Sequence, residues 1–82
     1  MERNEVVRII NQFLIEEIEV EENLIKEDAR LKEDLGIDSL DFVDVVVIIE
    51  REFGFKIKAE EMTSIKTLSD FYNYIYGKVS KK

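Results

Sequence analysis

The spacing of apolar residues near the amino terminus is that of one face of a helix. Between Arg3 and about Glu17 they recur at steps of three and four, and the stripe consists of Val6, Val7, Ile10, Phe13, Leu14 and Ile18. This period predicts an amphipathic first helix. Such a helix must bury its apolar face, and a chain of 82 residues is too short to form two separate cores. We therefore expect a single domain spanning residues 1–82.

The middle of the chain predicts a long loop followed by a second helix. From Glu19 to Asp38 the apolar residues are scattered, which predicts a structured loop held to the core by Leu31 and Leu35. The segment from Leu40 to Phe53 is rich in β-branched residues, which favour strands. Its length, its polar interruptions and the stop signal at Gly54 favour a helix instead.

The last third of the chain predicts one short and one longer helix. A short helical turn is expected from Ala59 to Ser64, after an alternating segment, 55–58, that could instead form a brief strand. Thr67 is suited to cap a final helix that reaches Tyr76, with Gly77 as its stop. The fold class predicted is all-α: a small four-helix bundle with three longer helices, one short helix, and a long loop between helices one and two.

The composition excludes most kinds of catalysis. The chain contains neither cysteine nor histidine, so disulfides, thiolate nucleophiles, Cys/His zinc sites and imidazole-based triads are ruled out. Carboxylate pairs remain, but so small a bundle offers no obvious concave substrate site. We do not expect an enzyme.

Charge and hydropathy indicate the kind of partner and the compartment. The formal net charge of -7 repels nucleic acid and anionic membranes at long range and favours partners with basic patches, although acidity also serves solubility. The charged amino terminus lacks the apolar core of a secretory signal, and no apolar stretch is long enough to span a bilayer. We expect a cytoplasmic monomer that does not insert into membranes.

One serine lies among acids where the second helix is expected to begin. If Asp38 is the N-cap, Ser39 becomes the first helical residue and faces solvent, with Asp41 at the third position. Without histidine in the chain, and with Lys32 seven positions away, no base is at hand to activate the hydroxyl. Ser39 is better suited to being modified, because an attached phosphodiester would lie near exposed amides at a helix amino terminus. Alternatively, Asp38 and Ser39 are ordinary capping residues.

The surrounding residues extend this motif. The run Glu33-Asp34-Leu35-Gly36-Ile37-Asp38-Ser39-Leu40-Asp41, followed by Val43-Asp44 and Ile49-Glu50-Arg51-Glu52-Phe53, resembles the acyl carrier protein family. The resemblance implies that Ser39, between Asp38 and Leu40, carries 4′-phosphopantetheine transferred from coenzyme A by a phosphopantetheinyl transferase. The thiol of that group would hold acyl intermediates as thioesters for enzymes of fatty acid or related biosynthesis, such as that of polyketides or aryl polyenes.

The resemblance also implies where partners and cargo are held. The second helix would be the docking surface, through Leu40, Asp41, Asp44, Val47, Ile48 and Glu50, and we expect at least one of Val47 and Ile48 to be exposed. The residues that could line an acyl pocket, or else form plain core, are Leu31, Leu35, Val45, Ile49, Ile57, Met62, Ile65 and Phe71.

Several residues depart from the family pattern. Phe42 is a large aromatic near the serine, Asp44 is shorter than the usual glutamate, and Arg51 places a positive charge where an acid is common. The final helix is also rich in aromatic residues. These departures leave the cargo open. The alternatives are an aminoacyl or peptidyl carrier, or a small helical protein-interaction domain without a prosthetic group.

Overall fold

The computed structural model describes residues 2–80, which form four α-helices. They are α1 (Arg3–Glu16), α2 (Ser39–Phe53), α3 (Ala59–Met62) and α4 (Leu68–Ser80), with one 3-10 turn at Glu22–Leu24. Three helices are long and one is short, and the long loop separates α1 from α2. The all-α bundle predicted from the sequence is confirmed.

The helices surround one apolar core. Helix α1 packs against α4, and α2 packs against α3. Each long helix contributes fully buried side chains to this core, among them Ile10 of α1, Ile49 of α2 and Ile75 of α4. Burying an aliphatic side chain of this size is worth about 1.5–3 kcal/mol. Among the described residues no aspartate, glutamate, lysine or arginine is buried, so the charged groups lie at or near the surface.

Helix α2 forms although its sequence is rich in valine and isoleucine. Its β-branched residues cost up to about 0.7 kcal/mol each in helix propensity. That cost is smaller than the burial of Phe42, Val45 and Ile49, which recur at three and four residues and face the core. Gly54 ends the helix in the left-handed conformation, with φ of 81°. The predicted helix is confirmed, and burial of its apolar face explains why it outweighs the strand propensity of these residues.

The long loop is fastened to the connection between α3 and α4. The amide of Leu31 donates to the carbonyl of Lys66 (2.9 Å), and the amide of Leu68 donates to the carbonyl of Ala29 (2.9 Å). Leu31 and Leu35 are buried in the core, which confirms them as the residues that hold the loop. The loop then turns back, because the amide of Ile37 donates to the carbonyl of Leu31 (2.9 Å), and leads directly into α2.

The final helix begins as predicted but ends later. The hydroxyl of Thr67 accepts from the amide of Asp70 (3.2 Å), and the Asp70 carboxylate accepts from the amide of Thr67 (3.3 Å), so Thr67 is the cap. The prediction that Gly77 stops the helix was wrong. Gly77 does not have a positive φ, and α4 continues through it to Ser80. Val79, partly buried against the core, gives the chain a reason to remain helical there.

The segment before α3 also resolves an ambiguity in the sequence. Residues 55–58 do not form a strand, and in the described part of the chain bridge pairing is confined to Arg30 and Thr67. Ile57 is nevertheless buried and fixes this connection to the core. Helix α3 ends at Met62, slightly before the predicted limit. Within residues 2–80, no helix is both long enough and apolar enough to cross a bilayer.

Candidate functional site

The start of α2 is closed by two aspartates that cap each other. The Asp38 carboxylate accepts from the amides of Leu40 (3.0 Å) and Asp41 (3.1 Å). In return, the Asp41 carboxylate accepts from the amide of Asp38 (3.3 Å). This reciprocal capping box satisfies three amides that would otherwise lack partners at the helix end. It fixes the backbone on both sides of Ser39.

Ser39 is the first residue of α2 and its side chain is exposed. Asp38 performs the capping, so the Ser39 hydroxyl is not needed for it. Among residues 2–80, no side chain hydrogen-bonds to this hydroxyl. Within the described chain the hydroxyl is therefore not hydrogen-bonded to a base that could activate it, and an approaching protein can reach it. This arrangement leaves the Ser39 hydroxyl without a side-chain hydrogen bond and accessible from solvent.

The same geometry shows how a phosphodiester would fit. The sequence suggested that exposed amides would lie beside it, but the amides of Leu40 and Asp41 are already bound by Asp38. Asp41 and Asp44 add further negative charge to this end of the helix. A phosphate held only by non-covalent contacts would thus be repelled. The residues fit a phosphopantetheine that is held by a covalent bond to the Ser39 oxygen.

The outer face of α2 carries an exposed apolar stripe, which we call the α2 stripe. It consists of Leu40, Val43 and Val47, whose side chains are 78%, 52% and 59% exposed. Asp44 and Glu50, both exposed, border it, and Asp41 is half-buried. Sequence analysis missed Val43, although its position three residues after Leu40 and four before Val47 puts all three on one helix face.

Ile48 does not belong to this surface. It is only 5% exposed, because each residue of an α-helix is rotated by about 100° from the last and Ile48 shares the core face with Val45 and Ile49. Its assignment to the docking surface is therefore corrected. The neighbouring Val47 points outward, in line with the expectation that at least one of the two is exposed.

The positive charge at the end of α2 is already paired. Arg51 forms ion pairs with Glu17, just after α1, and with Glu52 (3.2 Å). The hydrogen bond to Glu17, followed by that to Glu52, raises the pKa of Arg51. Because its charge is balanced by these carboxylates, Arg51 does not cancel the acidic character of the outer face of α2.

The aromatic residues of α4 mainly support the fold. Phe71 and Tyr72 are buried, and the Tyr72 hydroxyl donates to the Asn11 side chain of α1. The Tyr74 hydroxyl donates to the Glu61 carboxylate and so ties α4 to α3. Burial, and then this hydrogen bond, raises the pKa of Tyr74 to about 12. The same hydrogen bond is the main cause that lowers the pKa of Glu61.

All the residues predicted as candidates for an acyl lining are buried. Most lie in the close-packed core. Met62 and Ile65 differ, because they also line a surface cavity of about 150 Å³ between the long loop and the α3–α4 connection.

Comparison with known proteins agrees with this geometry. The family model described as a phosphopantetheine attachment site matches residues 8–75. The chain is 38% identical over 77 residues to an acyl carrier protein of Thermotoga maritima, covering 94% of this chain and 95% of that protein. It also resembles a crystal structure of an acyl carrier protein from Thermotoga maritima, with a TM-score of 0.80 and 28% identity, covering 99% of this chain and 94% of the other. The chain therefore belongs to the acyl carrier protein family, whose members carry 4′-phosphopantetheine and are carriers rather than catalysts.

Proposed function

We propose that Ser39 is the residue to which 4′-phosphopantetheine is attached. One observation carries this proposal. Asp38 caps α2, so the adjacent Ser39 hydroxyl takes no part in capping and is exposed to solvent. When bound, the prosthetic group supplies the thiol that a chain without cysteine lacks. Asp38 and Leu40 flank the attachment point, Asp38 by holding the backbone and Leu40 as an exposed contact.

The chain's own part in loading is to present the hydroxyl. Within residues 2–80 no side chain hydrogen-bonds to the Ser39 hydroxyl, so we assign to the transferase the group that accepts the proton leaving its oxygen. The capping box keeps the serine backbone in one conformation, which lowers the entropy lost when the transferase binds. Phosphopantetheinyl transferases and biosynthetic enzymes are the general partners of this family.

The proposed docking surface is the α2 stripe with its acidic border. An enzyme with a basic patch would be steered by Asp41, Asp44 and Glu50 and would bury Val47 with the rest of the stripe. Long-range attraction speeds association, while a small apolar contact keeps dissociation fast. Both properties suit a protein that passes intermediates from one enzyme to the next.

The physiological setting that we propose rests on membership of the acyl carrier protein family. The thiol would hold acyl groups as thioesters for fatty acid, polyketide or aryl polyene biosynthesis, and an aminoacyl or peptidyl carrier is the alternative. We further propose that residues 1–82 act as one carrier domain, monomeric and cytoplasmic. The exposed ionisable groups and the net charge of -7 support a monomer, since they oppose self-association.

The attachment is tested by intact mass after incubation with coenzyme A and a phosphopantetheinyl transferase of broad specificity. We expect the mass of one phosphopantetheinyl group to be added to the natural chain and none to be added to Ser39→Ala. Ser64→Ala is the matched control, because Ser64 is an exposed serine outside the motif, and it should load normally. Absence of any gain with several transferases, or loading of Ser39→Ala, would refute the assignment.

The docking surface is tested separately by the rate of loading. Asp44→Lys reverses one exposed charge that makes no ion pair within the described chain. We expect kcat/KM of the transferase to fall, and to fall more at low salt, because long-range attraction is screened at high salt. Glu22→Lys, which makes the same change of charge at an exposed residue outside α2, is the control. An equal effect of the two variants would contradict a docking role for α2.

A further inference from the structure

The charges along α2 and the segment after it are unevenly distributed. Residues 38–49 include three acids and no lysine or arginine. In residues 50–58, by contrast, three bases outnumber two acids. The start of the proposed docking surface is therefore strongly negative, whereas its end is not.

The acids at the end of α2 are paired with bases of this chain. Arg51 forms ion pairs with Glu17 and with Glu52 (3.2 Å). The Lys56 ammonium group lies 4.0 Å from the Glu50 carboxylate. None of the three acids in residues 38–49 forms an ion pair within the described part of the chain. A partner's base thus finds carboxylates without a neighbouring base only at the start of the helix.

The two bases at the end of α2 lie where a docked partner meets them. Arg51 follows Val47 by four residues, so it lies on the same side of the helix as the α2 stripe. Lys56 lies beside Glu50, which borders the stripe. The Arg51 side chain is 55% exposed and the Lys56 side chain 81%. A protein that covers the stripe therefore contacts both bases.

The two ends of α2 are far enough apart to act separately. Asp38 and Arg51 are about 20 Å apart along the helix axis, given a rise of about 1.5 Å per residue. Exposed charges are largely screened beyond a Debye length of about 8 Å at physiological ionic strength. Arg51 and Lys56 thus alter the electrostatic potential at the end of α2 and leave that around Ser39 negative.

We propose that Arg51 and Lys56 determine which partners the docking surface accepts. This inference rests on the proposed docking role of α2 and names the kind of partner that fits. Such a partner carries a compact basic patch, about 10 Å long, over the start of α2 and an uncharged surface over its end. An enzyme whose bases extend along the whole helix is disfavoured, because its distant bases face Arg51 and Lys56.

Arg51 contributes more to this selection than Lys56. Two carboxylates hold the Arg51 guanidinium group, one of them from Glu17 just after α1, so the positive charge keeps its place when a partner approaches. Lys56 is more exposed and its single contact is longer, so its side chain can move aside more easily.

The test uses two helical peptides of equal charge as probes. Each carries three arginines on one face and is otherwise rich in alanine. In the compact peptide they stand at positions i, i+3 and i+7, spanning about 10 Å, and in the extended peptide at i, i+7 and i+14, spanning about 21 Å. Affinity for the full chain is measured by titration followed through backbone amide NMR at 0.15 M salt. We expect the compact peptide to bind about fivefold more tightly, with shifts centred on residues 38–47.

Variants identify the residues responsible. Arg51→Gln/Lys56→Gln should raise the affinity for the extended peptide about fivefold, as two exposed charge pairs of ordinary strength would, and should change that for the compact peptide by less than about twofold. Arg51→Gln alone should give the larger part of the gain. Lys26→Gln/Lys66→Gln is the matched control, because it makes the same change of net charge at exposed residues outside α2. It should affect the two peptides equally.

The possible failures are distinguishable. Equal affinity of the natural chain for the two peptides, or equal gains for both peptides in Arg51→Gln/Lys56→Gln, would overturn this inference and leave docking on α2 intact. If neither peptide shifted the amides of α2, the docking role of this helix would fail together with the inference. The attachment at Ser39, which is measured by intact mass, would stand in either case.

Discussion

Removal of the Asp38 carboxylate should destabilise the protein by a predictable amount. In Asp38→Ala, the amides of Leu40 and Asp41 lose their acceptor, and loss of an N-cap side chain costs about 0.5–2 kcal/mol. The variant also loses the attraction between the carboxylate and the helix dipole, worth about 0.3–1 kcal/mol. The exposed site lets water replace part of the lost hydrogen bonding. We therefore expect the free energy of unfolding to fall by about 1–2 kcal/mol.

The assay is urea unfolding followed by circular dichroism, together with Tm, which should fall by about 4–8 °C for each kcal/mol lost. Asp38→Asn keeps the acceptor oxygen and should lose only the dipole contribution, about 0.3–1 kcal/mol. Asp44→Ala removes an exposed acid of the same helix that does not cap it, and should change stability by less than about 0.5 kcal/mol. If Asp38→Ala proved as stable as Asp44→Ala, the capping box would not hold the start of α2, and the argument that it frees Ser39 would fail.

Other predictions concern the core, the α3–α4 contact and the overall charge. Ile49→Ala, at a fully buried position, should cost about 2–5 kcal/mol in urea unfolding, whereas Val47→Ala on the same helix should change stability by less than about 0.5 kcal/mol; similar costs would contradict the assigned helix faces. The folded-state pKa of Tyr74, raised to about 12 from 10.0, means that its contribution to stability is complete below pH 10 and is lost as the pH rises toward 12. Tyr74→Phe should therefore lose less stability than the natural chain over that interval, and parallel losses would count against the prediction. The lowered pKa of Glu61 has the opposite consequence: its contribution to stability is present above pH 4.5 and is lost as the pH falls below that value. Glu61→Gln should therefore lose less stability than the natural chain as the pH falls, and equal losses would contradict this prediction. Finally, added salt should raise Tm, because the Debye length falls from about 30 Å at 0.01 M to about 8 Å at 0.15 M and screens the repulsion among the excess acids, and an unchanged or lower Tm would refute this account.

The amino-acid sequence determined the helices and the capping signals because these depend on local chemistry. The period of apolar residues predicted α1. Thr67 caps the start of α4 through its hydroxyl, and Gly54 ends α2 because it can adopt a positive φ. The role of Asp38 as N-cap also followed from its neighbours in sequence, since the two amides that it binds lie within three residues. With that cap assigned, the exposure of Ser39 followed as well.

Only the tertiary structure decided which side chains of α2 face solvent. Valine and isoleucine are equally apolar, so composition could not separate the buried Ile48 from the exposed Val43 and Val47. The direction of the core decided this, and that direction is set by contacts with helices distant in sequence. The same reason explains why α4 runs past Gly77: the packing of Val79 on the core outweighs a weak local stop signal.

Local sequence patterns also could not predict the surface cavity between the long loop and the α3–α4 connection. Lys32 and Lys66 are far apart in sequence and come together because the loop backbone at Leu31 pairs with the α3–α4 connection. Their charges are visible in the sequence, but charge alone does not say which lysines share a surface or which lack an acidic partner. Local chemistry thus determined where helices begin and that Ser39 is exposed, whereas long-range packing decided which side chains of α2 face solvent and which lysines lie together.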